Sequence, residues 1–149
     1  MSNDLKSESY LPTLNAIDLE EVVEFGLLSV RGDLGSKKIV DSLKSSIGLV
    51  TPAVRRFASK GKVEVFWMST DELLIKAPSK AIAGIETKML KELRGFHSSV
   101  VNISDSRSLF TIKGALSRDI LGKLCPVNFD KNIFKIGDFR RTRMAQVPI

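Results

Sequence analysis

Apolar positions cluster in a strand-like run from Val22 to Val30, VVEFGLLSV, and then change period. From residue 36 onward Ile39, Val40, Leu43 and Ile47 recur at helical spacing, with Ser36 as an N-terminal cap and Gly48 as the stop. Between the two, Arg31-Gly32-Asp33 has turn chemistry. Apolar-polar alternation returns in VEVFWM at 63–68 and LLIKA at 73–77, on either side of Ser69-Thr70-Asp71-Glu72, which predicts a hairpin. Pro78 stops its second strand, and Ser79 precedes a helix whose Ile82, Ile85, Met89, Leu93 and Phe96 lie close to one face, with Gly95 at its end. The same order then repeats. VVNI at 100–103 and SLFTIK at 108–113 flank Ser104-Asp105-Ser106-Arg107, predicting a second hairpin. Gly114 opens a shorter helix that turns Leu116, Ile120, Leu121 and Leu124 inward, and Phe139 to Val147 resumes as a strand after Gly137. Hairpin, helix, hairpin, helix predicts an α+β fold: two half-units sharing a largely antiparallel sheet, with helices on one face. Residues 1–20 are polar and aperiodic and are expected to form a mobile arm, leaving 21–149 as a single domain.

A length of 149 residues is enough for one buried core. No apolar run approaches the roughly 18 to 20 residues a membrane helix needs, and the polar start MSNDLKSESY lacks the features of a secretory signal, so a cytoplasmic location is expected. The single Cys125 excludes an internal disulfide framework and a multi-cysteine zinc site, and suits a reducing compartment. A net charge of +6, from 23 Lys and Arg against 17 Asp and Glu, admits nucleic acid, a polyanionic ligand or an acidic protein surface. The densest basic groups, Arg55, Arg56, Lys60 and Lys62, then Arg140, Arg141 and Arg143, read first as solvated faces.

Candidate chemistry is sparse. His97 is the only histidine, so a histidine metal cluster is excluded, and its place just past a helix end suits contact with the last carbonyls or exposure better than catalysis. Ser104, Asp105 and Ser106 suit a turn that bonds its own backbone, while Arg107 beside it could meet an anion. Asp71 and Glu72 are adjacent in a turn and point apart, unlike an acid and base that flank one bond. The glycines fit neither a dinucleotide fingerprint nor a P-loop. Phe57, Phe66, Trp67 and Phe110 read as core before base-stacking, and nucleic acid is not favoured as a partner.

Taken together, Val30-Arg31-Gly32-Asp33, the segment Trp67-Met68-Ser69-Thr70-Asp71-Glu72-Leu73-Leu74, and Val101-Asn102-Ile103-Ser104-Asp105-Ser106-Arg107 carry a resemblance that the second half extends. There Gly114, Arg118 and Leu121 are followed by Cys125-Pro126-Val127-Asn128-Phe129, Phe134, Gly137 and Arg141-Thr142. In order and spacing this resembles the gamma subunit of heterotetrameric sarcosine oxidase, itself related to the folate-binding domain of the glycine-cleavage aminomethyltransferase. The resemblance implies that domain's fold and a non-catalytic subunit that supports the alpha subunit, beside beta and delta. The complex it implies demethylates sarcosine oxidatively to glycine, passing the one-carbon unit to tetrahydrofolate, with FAD, FMN, NAD, zinc and folate on partner subunits and none on this chain. The family-motif or partner-contact residues it implies are Arg31, Gly32, Asp33, Trp67, Asp71, Glu72, Ser104, Asp105, Arg107, Gly114, Arg118, Gly137, Arg141 and Thr142. Two departures stand out: Ser69-Thr70 where the family usually has Gly-Pro, and Asn102 where an aspartate is usual. The alternative is a stand-alone folate or one-carbon binder, with Arg107 or Arg141 holding the glutamyl tail. Relatives continue beyond the strand pattern on which Ile149 falls. A chain short at that point is expected to self-associate through the open edge of a 139–147 strand.

Overall fold

The computed structural model describes residues 17–149. Its centre is a five-stranded antiparallel sheet in the order β3-β4-β5-β2-β6, formed by β2 (Phe25–Gly32), β3 (Phe57–Lys60), β4 (Val63–Ser69), β5 (Glu72–Pro78) and β6 (Ser98–Asn102). Helices α1 (Lys37–Ile47) and α2 (Ser79–Glu92) lie on one face. Because β5 is antiparallel to both β2 and β4, those two run parallel with β5 between them, and β2 likewise separates β5 from β6. The chain therefore interleaves two split βαβ units, β2-α1-β4 and β5-α2-β6, with β3 added at the edge.

Alternation along each strand sorts the side chains. Leu28, Val30, Val65, Leu73, Ile75, Ala77 and Val100 face the helices, where Ile39 and Leu43 of α1 and Ile82 and Met89 of α2 bury against them. A smaller cluster of Leu27, Met68 and Leu74, joined by Phe25, Phe66, Ile103 and Phe139, occupies the other face. The caps of α1 are those the sequence predicts. The Ile39 N–H donates to Ser36 Oγ, and Gly48, at φ 68°, donates to the Lys44 carbonyl. Both spare the helix an unsatisfied terminal group. Gly26 is a requirement that sequence reading does not single out: a Cβ there would sit 2.7 Å from Ile82 Cβ, so its absence lets α2 lie directly on β2.

The α+β class and the antiparallel sheet stand as expected, but the second half-unit is built differently. β6 joins β2, whereas β7 (Leu109–Lys113) pairs with β1 (Asp18–Val22) in a separate two-stranded ribbon, so no hairpin forms across residues 100–113. The reason lies in the 3₁₀ turn at Ser104–Ser106. Ser104 Oγ accepts the Leu27 N–H at 3.0 Å and the Ile103 N–H donates to the Leu27 carbonyl, which hold the chain to β2 and send it on to another sheet. Of the expected arm, residues 1–16 lie outside the described residues, while Asp18–Val22 is strand. Helix α3 (Ser117–Leu124) has no fully buried residue, and Leu116 and Leu124, expected in the core, are exposed.

The segment 139–147 is not one strand. Arg56 and Asp138 form an isolated antiparallel bridge, and only β8 (Arg143–Met144) and β9 (Val147–Pro148) pair further on. The long open edge on which self-association was expected is thus not present there. Among the described residues no helix is long and apolar enough to cross a membrane.

Overpacking at Gly26 and open space at Gly84 on the same helix–sheet layer give opposite expectations. Gly26→Ala forces α2 off β2 and should destabilise by roughly 1–3 kcal/mol. Gly84→Ala, with nothing near its added methyl, should stabilise by about 0.5–1 kcal/mol. Urea unfolding of the two variants checks this; equal midpoints would contradict the close-approach account.

Candidate functional site

Three of the sequence-predicted groups turn out to be bound up internally. Arg31 and Glu72 are cross-strand partners on β2 and β5, and the Arg31 guanidinium lies 2.9 Å from Glu72 Oε2 and 4.0 Å from Asp71 Oδ2. Glu72 also accepts the Ser29 hydroxyl at 2.8 Å, and the Gly32 N–H donates to the Asp71 carbonyl. The Ser69 hydroxyl, bonded to Asp71, holds that carboxyl below its usual range, with the Arg31 charge adding to the effect against some desolvation. Asp33 Oδ1 accepts the Gly35 N–H and its carbonyl accepts from Ser36, so it launches α1. Arg31, Gly32, Asp33 and Asp71, with His97 and Ser98, rim a cleft of about 430 Å³. Arg31, Asp71 and Glu72 make one ion cluster that satisfies itself.

Ser104 is similarly occupied. Its hydroxyl donates to Asn102 Oδ1 at 2.6 Å while accepting from Leu27, so Asn102 serves as a turn acceptor. Asp105 and Arg107 are exposed around it. On the far side of the chain Arg118 Nη1 donates to the carbonyls of Phe129 (2.6 Å) and Phe134 (2.9 Å), which folds the 127–134 loop onto α3. Gly114, at φ 112°, turns the chain out of β7, and Thr142 exchanges two backbone hydrogen bonds with Ile149.

The remaining candidates, Trp67, Gly137 and Arg141, meet at the β3–β4 edge. A cavity of about 400 Å³ there is bordered by Trp67 and Met68 of β4, by Arg55 before β3, and by residues 126–141 folding back over the sheet. Trp67, Phe134 and Phe139 give its lining an aromatic part, with Phe66 and Phe57 packed behind Phe139. Phe66 stacks on Phe57 at 5.4 Å between ring centroids and meets Phe139 at 5.2 Å, while Arg140 lies 5.6 Å over the Phe134 ring. The fold-back is held by the bridge at Arg56 and Asp138. The Arg56 guanidinium pairs with the Asp138 carboxylate and donates to the Ile136 carbonyl at 3.1 Å, and the Phe57 and Phe139 N–H groups donate to Gly137 and Arg55 carbonyls. Gly137 is needed for this. At φ 86°, a Cβ there would fall 2.7 Å from Arg56 Nη2. The Lys135 N–H, and after it the Arg56 side chain, hold the Asp138 carboxyl below its ordinary range.

Three arginines, Arg55, Arg140 and Arg141, therefore line one cavity to which no carboxylate contributes, and none of the three has a salt-bridge partner among the described residues. Arg55 and Arg140 stand in the basic runs read above as solvated faces; their signal was the repeated placement of arginines next to apolar residues. Arg107 does not border this cavity. Among the described residues no three of His, Cys, Asp and Glu come together as a metal site.

Comparison with known proteins places these features in a family. The model of the "Sarcosine oxidase, gamma subunit family" matches residues 31–146. The sarcosine oxidase subunit gamma of Arthrobacter sp. is 25% identical over 140 residues, and that of Corynebacterium sp. (strain P-1) is 24% identical over 144. Each match covers 92% of this chain and 67% of the relative, so the chain spans about two thirds of their length. Among solved structures, the heterotetrameric sarcosine oxidase from Corynebacterium sp. U-96, in complex with pyrrole 2-carboxylate, contains a chain that matches with a TM-score of 0.80 at 25% identity. That match covers 89% of this chain and 67% of that one. The glycine cleavage system aminomethyltransferase T from Bartonella henselae shares the fold, with a TM-score of 0.56 at 13% identity over 73% of this chain and 32% of that one.

A depressed Asp138 pKa ties the fold-back to acidity. Its contribution is complete above the ordinary aspartate value of 3.8 and is lost as pH falls through the lower folded value, so stability should drop from about pH 4 downward. Asp138→Asn should lose stability at pH 7 and flatten that acid limb. Thermal unfolding from pH 7 to pH 2 reads both. An unchanged acid limb in the variant would assign the dependence to other carboxylates, Asp71 first.

Proposed function

We propose that this chain, which belongs to the sarcosine oxidase gamma subunit family, is the non-catalytic small subunit of a heterotetrameric sarcosine oxidase and buttresses its alpha subunit beside beta and delta. In this reading the assembly oxidatively demethylates sarcosine to glycine and hands the one-carbon unit to tetrahydrofolate. FAD, FMN, NAD, zinc and folate belong to the partner subunits. The observation that carries the reading is the match at a TM-score of 0.80 to a chain within an assembled sarcosine oxidase. The residue chemistry is in keeping with a structural role. The polar motif residues Arg31, Asp71, Glu72, Ser104 and Arg118 have their hydrogen bonds turned inward on strand ends and loops, where they fix shape. A cytoplasmic location fits the one cysteine, Cys125, which is buried and forms no disulfide.

A second reading has one observation in its favour. Arg141 borders a partly aromatic cavity of about 400 Å³, within the size range of small-ligand pockets, which suits a folate-like ring with carboxylates. The likeness to the aminomethyltransferase supports the fold alone.

Co-expression with the alpha, beta and delta subunits of the same genome, followed by affinity capture of this chain, separates the two. A yellow complex that oxidises sarcosine is expected. A colourless chain emerging alone, and binding tetrahydrofolate in calorimetric titration, would replace the subunit reading with the stand-alone one.

A further inference from the structure

The arginine-lined cavity carries positive charge that only backbone carbonyls and an aromatic ring meet among the described residues. Arg55, Arg140 and Arg141 all border it and no acidic residue does, while Arg140 donates to the Arg55 and Phe139 carbonyls and Arg141 to the Met68 carbonyl. Asp138, which feels the Arg140 charge from outside the lining, is already paired with Arg56, so the cavity wall keeps an excess of positive charge that favours an anionic partner. Arg55 sharpens the point. It sits at φ 61°, a left-handed conformation in which glycine is the unstrained choice, and its carbonyl alone would anchor Phe139 and Arg140 whatever its side chain. An arginine side chain is thus held at a backbone position that favours none. Around the rim three large apolar side chains stand in solvent: Ile136 at 93% exposure, Val54 at 62% and Ile133 at 58%. Val54 precedes Arg55, Ile133 borders the cavity, and the Ile136 carbonyl is bonded to Arg56. Arginine, aromatic and exposed aliphatic groups around one concavity are the composition of an interface centre and not of a solvated charge run.

We infer that this face, the cavity with its 133–136 and 54–55 rim, is where the chain docks onto its partner subunit, and that the occupant is an acidic segment carrying an apolar side chain between its carboxylates. Bidentate guanidinium contacts would orient that segment, and the isoleucine rim would cover it from water. The inference rests on the subunit reading and adds the docking face to it.

The test is quantitative capture of the alpha, beta and delta subunits by wild type, by Arg55→Glu/Arg141→Glu, by Ile136→Asp and by Lys80→Glu, a single charge reversal at an exposed position of α2. Circular dichroism establishes that each variant is folded. The double variant should bind about tenfold or more weaker, with a flatter dependence on salt, and Ile136→Asp several-fold weaker, while Lys80→Glu matches wild type. Ile136 is so exposed that its variant reads the interface even where the double variant fails to fold. Wild-type capture by Ile136→Asp and by the folded double variant would overturn the docking face and leave the subunit reading standing. Failure of wild type itself to capture the subunits would overturn both.

Discussion

The whole arrangement depends on how closely α2 can lie on β2. With no side chain at Gly26, the Ile82 side chain packs directly on the strand backbone, and the helix-side core closes around Leu28, Ile75 and Met89. That contact sets the depth of the helical layer and leaves β2 central, with β5 on one side and β6 on the other. Everything that bears on recognition hangs from this frame. The ion cluster of Arg31, Asp71 and Glu72 lies across the β2–β5 pair, and the Ser104 turn is pinned to Leu27 of β2. A sheet so dominated by one buried layer leaves its opposite face lightly covered, and there the chain is free to add an element of its own.

That element is the return of residues 134–141 over the β3–β4 edge. Its own apolar contribution is modest, a phenylalanine against Phe66 and little else. Its attachment is polar instead, a guanidinium and a carboxylate supported by backbone hydrogen bonds, with a glycine shaped to admit them. Arg56 divides its donors, Nη1 to the Asp138 carboxylate and Nη2 to the Ile136 carbonyl, so the charge-assisted contact fixes orientation as well as adding energy. The arm is therefore positioned well but not deeply buried, which suits a surface meant to be covered by another molecule.

Local signals carried far in reading this fold, and non-local ones did not. The Ser36 and Gly48 caps, the helical spacing of Ile39 and Leu43, and the β4–β5 turn at Ser69 to Glu72 are all decided by neighbours in sequence, and the structure has them where the sequence puts them. Residues 100–113 also read correctly as two strands. What alternation does not encode is the partner, and β6 and β7 went to different sheets because of a hydroxyl bonded to a strand 77 residues away. The same limit applies to function. Arg141 and Trp67 could be named from the resemblance, but Arg55, Arg140 and Phe134 join them only because Arg56 meets Asp138 across 82 residues. Two basic runs, each plausible alone as a wetted face, became one concavity through a contact that no window of sequence contains.

Synthesis of a protein runs in one direction, and the long span of that contact gives the direction meaning. Arg56 leaves the ribosome 82 residues before Asp138 does, after which β4, β5, α2 and β6 must all be laid down. Throughout that interval one wall of the cavity exists without the other. A nascent or stalled chain can thus have a finished sheet and still lack the cavity, so that the proposed docking face would exist only in chains whose residues 126–141 have folded back.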